Sequence, residues 1–208
     1  KKRREVIENN KVSKMMTYSL NGYSQKVLFD GKNETSPVLL NLHGGPGMPI
    51  PFSVGCRGMF PDFTDHVIMA YWDQLGCGIN DYVIDATFTI DDYVKMTVDL
   101  IKEIKKEFPN NQLILLGMSW GSVLTAKVAS EVPELIDQVL VYGQILTELI
   151  FNSEVYTSIL QSSISSSHKV IIDNIKNKEE HTTEDVKMMA KLIRKYTEGY
   201  QAKTKEKT

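Results

Sequence analysis

The sequence lacks the residues and patterns that mark several large classes of protein. Its 208 residues include two cysteines, Cys56 and Cys77, too few for a disulfide framework and without metal-ligand spacing. No apolar run reaches the roughly 18 residues of a membrane-spanning helix, and no signal-peptide core is present. Membrane insertion within this chain is therefore not expected. The 24 basic and 26 acidic residues nearly cancel, so binding to nucleic acid or to an anionic membrane surface is not expected either.

What remains is the composition of an ordinary globular protein, with 42% hydrophobic and 24% charged residues. Residues 1–16 are polar, and we predict a basic tail there. An alternative interpretation of the basic residues 1–4 is the flank of an upstream membrane anchor outside this chain. The expected location is the cytoplasm, with membrane tethering through such a segment as the alternative.

Strand-like and helix-like segments alternate along residues 17–144. The turn dipeptide Asn21-Gly22 divides residues 17–30 into a predicted antiparallel hairpin. Spacings of three and four residues predict helices over 90–108 and 122–131. Alternation of this kind indicates an α/β core with a mainly parallel sheet and flanking helices. The predicted buried strands are residues 38–42, 66–72, 113–116 and 138–143.

A serine lies between two glycines in GMSWG, residues 117–121. The buried strand before it and the helix directly after it match a nucleophile elbow, a sharp turn that raises the serine side chain above the sheet. Small neighbours are needed at such a turn, and Gly117 and Gly121 provide them. We therefore predict that Ser119 is a nucleophile rather than a serine in an ordinary Gly-rich turn.

A second glycine-rich stretch, HGGPG, follows the first buried strand at residues 43–47. A tetrahedral intermediate needs two preorganised N–H donors. We expect one to be the N–H of Trp120, the residue after the nucleophile, and the other to come from Gly44 or Gly45. His43 is predicted to shape this loop rather than act as the base, because the fold supplies its base after the serine.

The strand at 66–72 is followed by DQLGCG, residues 73–78. Asp73 could be a catalytic carboxylate, but the fold supplies its triad acid after the serine, so we predict a carboxylate that braces the loop. Cys77 has no histidine nearby in the sequence to lower its pKa, and we interpret it as a small loop residue.

These three motifs, HGGPG, WDQLGCG and GMSWGS, together resemble the proline iminopeptidase group of α/β-hydrolases over residues 17–145. The resemblance implies that Ser119 is the nucleophile and that Trp120 with Gly44 or Gly45 forms the oxyanion hole. Leu75 departs from the group's pattern, because arginine is common at that position.

The resemblance also implies that residues 145–208 begin a helical cap, and we predict two to four helices there. Glu148 and Glu154 are cap acids by position, but no motif assigns either of them a role. The histidines after Ser119 are His168 and His181, and neither follows a predicted strand. We therefore expect the final strands, with the triad Asp and His, to lie beyond residue 208, leaving this part of the fold absent and the cap incomplete.

The function expected from these features is that of a serine hydrolase cleaving an amide bond through an acyl-enzyme. The resemblance implies an aminopeptidase that releases an N-terminal residue such as proline. The alternatives are an esterase or other amidase of the same fold, and a non-catalytic binding protein. The expected partner is a small peptide, amide or ester substrate, without a metal or organic cofactor.

Overall fold

The computed structural model describes residues 2–85, 87–146 and 150–197. The chain divides into two compact units, Lys1–Ile145 and Leu146–Thr208. The second unit begins one residue from the boundary that the sequence predicts at 145. Each unit has its own apolar core.

The first unit alternates strands and helices as an α/β domain does. In chain order its elements are α1 (Lys2–Asn9), β1 (Val12–Leu20), β2 (Tyr23–Gly31), β3 (Val38–Leu42), α2 (Pro61–Thr64), β4 (Ile68–Tyr71), α3 (Ile90–Glu107), β5 (Leu113–Met118), α4 (Trp120–Glu131) and β6 (Gln138–Tyr142), with short 3₁₀ turns at Val54–Cys56 and Pro133–Leu135.

The six strands form one sheet in the order β1-β2-β4-β3-β5-β6. Strands β4, β3, β5 and β6 run parallel, whereas β1 and β2 form an antiparallel hairpin that joins the sheet through β4. The hairpin turns at Asn21 and Gly22, both with positive φ (46° and 83°), as a tight two-residue turn requires. The predicted α/β fold with a mainly parallel sheet is confirmed.

Apolar residues cover both faces of this sheet. The central strands β3 and β4 are therefore buried along their whole length. The larger cluster combines Leu40 and Leu42 of β3 with the apolar sides of α3 and α4. Helix α3 begins at the predicted cap, where Thr89 and Asp92 form a capping box. The smaller cluster, on the opposite face, contains Leu39 and Phe52.

Strand β6 corrects one prediction. The strand is present, but the expectation that residues 138–143 would be buried is wrong, because all five of its residues are exposed. It lies at the edge of the sheet and pairs with β5 on one side. An apolar run of this length predicts a strand, but it carries no information about which elements lie beside that strand.

The N-terminal segment is also more ordered than predicted. Helix α1 starts at Lys2 and β1 at Val12, so most of the segment predicted as a tail is folded. The Arg3 guanidinium donates hydrogen bonds to the carbonyl oxygens of Gly55 (2.7 Å) and Arg57 (2.6 Å). Since α1 buries no residue of its own, these tertiary contacts hold it, and local sequence patterning could not reveal them.

The second unit contains three helices in its described part, α5 (Ser153–Gln161), α6 (Ser166–Lys176) and α7 (Thr183–Tyr196). Each begins with a side-chain cap, from Asn152, Ser165 and Thr182 respectively. Glu148, a cap acid by position, lies outside the described residues. None of the helices in residues 2–85, 87–146 and 150–197 has the length and apolar character needed to cross a bilayer.

Two leucines on neighbouring strands test this arrangement. Leu115 on β5 is fully buried, whereas Leu140 on β6 is 47% exposed. Leu115→Ala should lower the free energy of unfolding by about 2–5 kcal/mol, because it removes core contacts and leaves a cavity. Leu140→Ala should cost less than about 1 kcal/mol, since its side chain remains half in water. Urea denaturation of the 208-residue chain measures both, and equal losses would contradict the assignment of β6 to an exposed edge of this chain.

Candidate active site

Three motif loops meet at one edge of the sheet. HGGPG follows β3, DQLGCG follows β4, and Ser119 follows β5. These strands are parallel neighbours, with β3 in the middle, so their carboxyl ends lie side by side. This edge is where parallel α/β sheets bind ligands.

Ser119 lies on the turn between β5 and α4 and is exposed. Its backbone has φ 50° and ψ −114°, a conformation that non-glycine residues rarely adopt and that costs on the order of 1–3 kcal/mol. The Ser119 N–H donates to the carbonyl oxygen of Tyr142 (2.9 Å), and the Ser122 hydroxyl donates to the carbonyl oxygen of Ser119 (2.6 Å). Hydrogen bonds to both of its peptide groups therefore hold the strained residue in place.

The glycines around Ser119 allow backbones to approach closely. A side chain at Gly121 would overlap the carbonyl oxygen of Leu42 at the end of β3. A side chain at Gly117 would overlap the Thr125 hydroxyl on α4. Helix α4 thus begins directly against the end of β3, which explains why the turn needs both small residues.

Gly44 brings the HGGPG backbone against the same turn. A Cβ at Gly44 would lie 3.3 Å from the Met118 carbonyl oxygen and 3.4 Å from Ser119 Cβ. Trp120 is the first residue of α4, and the N–H groups of a first helical turn have no acceptor within their helix. The structure therefore brings together the elements that carry the predicted donors, Trp120 with Gly44 and its neighbour Gly45.

His43 lies at the base of this loop, and its side chain is fully buried. The Gln74 backbone N–H donates to His43 Nε2 (2.9 Å), so that nitrogen must be unprotonated. Nδ1 then carries the proton and donates to the Gly44 carbonyl oxygen (2.9 Å). Burial lowers the pKa of His43, although the bond to Gly44 and the nearby Asp73 oppose this effect. These bonds support the structural role predicted for His43.

Asp73 also has a bracing geometry. Its carboxylate accepts hydrogen bonds from the N–H groups of Val54 (3.1 Å) and Ile79 (3.0 Å). Its carbonyl oxygen accepts from the side-chain amide of Asn80 (2.7 Å), which also donates to the Lys26 carbonyl oxygen on β2. Asp73 therefore ties the DQLGCG loop to its surroundings through both oxygens of its side chain.

Cys77 has a histidine close in space that the sequence does not reveal. Its Sγ lies 3.5 Å from His43 Nε2 and donates to the Gln74 carbonyl oxygen (3.1 Å). Burial, with smaller contributions from Asp73 and Asp81, raises the pKa of the Cys77 thiol to about 11. The thiol is therefore protonated near neutral pH, which agrees with its interpretation as a small loop residue.

Gln74 is a residue of the candidate site that the sequence motifs do not single out. Its buried side chain accepts a hydrogen bond from Trp120 Nε1 (3.3 Å) and donates one to the His43 carbonyl oxygen (3.3 Å). Its place in a loop that follows a buried parallel strand, at the edge where such sheets bind ligands, was the available signal.

The histidines of the second unit have partners within that unit. His168 Nδ1 is hydrogen-bonded to the Tyr196 hydroxyl (2.6 Å). His181 stacks on Phe151, with ring centroids 3.7 Å apart, and its Nε2 donates to the Ile175 carbonyl oxygen.

The Ser119 hydroxyl forms no hydrogen bond with any residue that the structure describes. Over the same residues, no group of three or more His, Cys, Asp or Glu side chains could hold a metal ion.

A family of α/β-hydrolase fold proteins matches residues 37–162, more than half of the chain. This span contains all three motif loops and the strands that present them. The fold and the strand-to-helix turn at Ser119 thus agree with the match, and the chain belongs to the α/β-hydrolase fold family.

Individual relatives show the similarity in more detail than the family match does. The chain is 26% identical over 169 residues to the protein named "Probable aminopeptidase YbaC" of Bacillus subtilis (strain 168), covering 80% of this chain and 52% of that protein. It is 32% identical over 99 residues to a proline iminopeptidase of Heyndrickxia coagulans, covering 47% and 31%. The chain thus spans about half the length of these curated relatives or less.

A solved structure shows the same fold. A proline iminopeptidase-related protein of Thermus thermophilus superposes with a TM-score of 0.54 at 18% identity, over 85% of this chain and 59% of that one. The two relatives confirm the resemblance to the proline iminopeptidase-like group of the family, and this structure shows the shared fold.

Protonation of His43 should couple stability to pH. The pKa of His43 in the folded chain lies below the ordinary value of 6.5. Just below pH 6.5 the unfolded chain therefore binds more protons than the folded chain does. The contribution of neutral His43 to the free energy of unfolding is fully present above pH 6.5 and is lost as the pH falls towards the folded-state pKa. The loss is at most about 1.4 kcal/mol per pH unit.

Urea denaturation between pH 8 and pH 5 measures this dependence. His43→Gln, which cannot titrate, should flatten the acid part of the profile and leave the part above about pH 7.5 parallel to wild type. Identical acid slopes for the two proteins would show that His43 is not held neutral by the fold.

Proposed function

We propose that this chain carries the nucleophile and oxyanion hole of a serine hydrolase, with Ser119 as the nucleophile. The observation that carries the proposal is the geometry of Ser119, an exposed serine held at φ 50° on a strand-to-helix turn beside the Gly44 backbone. The strain is maintained by hydrogen bonds to both of its peptide groups. Strain of this kind persists where the surrounding structure overdetermines it, as at active sites.

In the proposed reaction a histidine takes the Ser119 proton as Oγ attacks the acyl carbon. The oxyanion of the tetrahedral intermediate accepts hydrogen bonds from the N–H of Trp120 and from that of Gly44 or Gly45. The protonated histidine then gives its proton to the leaving amine or alcohol. Water, activated by the same base, cleaves the acyl-enzyme and frees Ser119. The proposal assigns the nucleophile and the oxyanion hole, and it assigns the base to no described residue.

We place the substrate among small peptides and amides, with release of an N-terminal residue such as proline. Support comes from the three motifs and from the aminopeptidase and proline iminopeptidase names of the relatives. An esterase or other amidase is the second candidate, since the same nucleophile and oxyanion hole serve both ester and amide cleavage. A non-catalytic binding protein would keep the fold without a reactive serine.

Labelling with a fluorophosphonate tests the nucleophile directly. The full-length protein should react at Ser119, and Ser119→Ala should abolish the reaction, because the probe needs an activated serine hydroxyl. Ser130→Ala is the matched control, since Ser130 is a serine near the far end of the same helix, and it should leave labelling unchanged. Folded full-length protein that remains unlabelled would overturn the enzyme proposal and favour the binding protein.

Substrate comparison separates the peptidase from the esterase. The full-length protein should cleave a proline anilide, and an anilide blocked at the proline nitrogen should react at least about tenfold more slowly if the free amino group is recognised. The measurement is kcat/KM for both anilides and for a short acyl ester. Turnover of the ester that is faster by orders of magnitude, without dependence on a free amino group, would reject the peptidase assignment.

A further inference from the structure

Gln74 connects the two loops that carry the proposed oxyanion donors. Its backbone N–H binds the His43 ring (2.9 Å), and its side-chain Nε2 donates to the His43 carbonyl oxygen (3.3 Å). Its side-chain Oε1 accepts from the Trp120 indole N–H (3.3 Å). A single residue of the loop after β4 therefore bonds both to the loop after β3 and to the turn after β5.

An amide is the side chain that suits this position. The Trp120 indole needs an acceptor, whereas the His43 carbonyl oxygen needs a donor, and an amide offers one of each on the same plane. A carboxylate could satisfy Trp120 but would repel the His43 carbonyl oxygen. An apolar side chain of the same size would leave both partners without this bond.

The backbone of Gln74 is itself fixed. Asp73, the preceding residue, accepts backbone hydrogen bonds from Val54 and Ile79 and is 2% exposed. The Gln74 carbonyl oxygen accepts from Cys77 Sγ (3.1 Å). Since Gln74 is 1% exposed, its amide also has little room to choose other partners. A side chain held in this way can set the distance between the loops that it joins.

We propose that Gln74 is a positioning residue that sets the separation between the backbone N–H of Trp120 and those of Gly44 and Gly45. This inference rests on the proposed function and assigns a role to the DQLGCG loop, which that function leaves without one. Gln74 acts through His43 and Trp120 rather than on the reacting atoms. Its effect should appear where the oxyanion exists, in the transition state, rather than in substrate binding.

Kinetics of the full-length protein with a short acyl ester test the proposal. Gln74→Leu should lower kcat by about tenfold to a hundredfold and leave KM within about twofold, because an interaction made in the transition state is weakened. Affinity for a trifluoromethyl ketone, which mimics the tetrahedral intermediate, should fall by the same factor as kcat.

The chain offers a matched control for the loss of a buried bond. Gln25 is fully buried and accepts from the indole N–H of Trp72 (2.9 Å), but it joins no motif loops to each other. Gln25→Leu should destabilise the protein to an extent similar to Gln74→Leu while leaving kcat near wild type. If both variants lower kcat equally, or if Gln74→Leu raises KM without changing kcat, the positioning role is wrong.

A second variant covers the case in which Gln74→Leu does not fold. Gln74→Glu keeps the size of the side chain and the acceptor for Trp120, but an ionised carboxylate cannot donate to the His43 carbonyl oxygen. Its kcat relative to wild type should be low at pH values above the pKa of this buried carboxyl group, which burial raises, and should recover as the pH falls through that pKa. A kcat ratio that does not change with pH would contradict the donor role.

Failure of this inference can be told from failure of the proposed function. Wild-type protein that neither reacts with a fluorophosphonate nor turns over the ester would overturn the function and this inference together. Wild-type protein that reacts at Ser119, combined with unchanged kinetics in Gln74→Leu, would overturn the inference alone.

Discussion

The candidate site depends on one close contact between two backbones. Helix α4 begins so near the end of β3 that Gly121 has no room for a side chain beside the Leu42 carbonyl oxygen. This contact places the turn at Ser119 against the loop that starts at His43. Without it, Ser119 and the glycines of the HGGPG loop would follow neighbouring strands but would not touch. The strained backbone of Ser119 is the local cost of the arrangement.

Much of the fold could be predicted because its central strands have a clear local signal. Residues 38–42 and 113–116 are short apolar runs bounded by turn residues, and both form strands in the middle of the sheet. The same signal misled at 138–143, where the run forms an edge strand with exposed side chains. Periodicity reports what a segment can form, whereas burial depends on neighbours that a local pattern does not contain.

The candidate site shows the same difference between features with a local sequence signal and contacts that depend on distant residues. The strand-to-helix turn at Ser119 and the close approach of Gly44 could be predicted because both impose local requirements for small residues. The bonds of His43, Gln74 and Cys77 could not be identified in that way. His43 and Gln74 are 31 residues apart, and only the placement of β4 beside β3 brings them together. For Cys77, the absence of a neighbouring histidine in the sequence did not mean its absence in space.

These contacts separate two tasks within the site. The side chains of His43, Asp73 and Gln74 bond to backbone groups and, for Gln74, also to the Trp120 indole, and burial keeps the His43 ring neutral. They are therefore poorly placed to exchange protons with a substrate and well placed to hold loops still. In the proposed reaction, the groups left to meet developing charge are backbone N–H dipoles, which need no protonation change and little reorganisation when an oxyanion forms. In the proposed function, a site built in this way would gain its catalytic power from fixed geometry, so the residues that fix the loops would matter as much as the serine they surround.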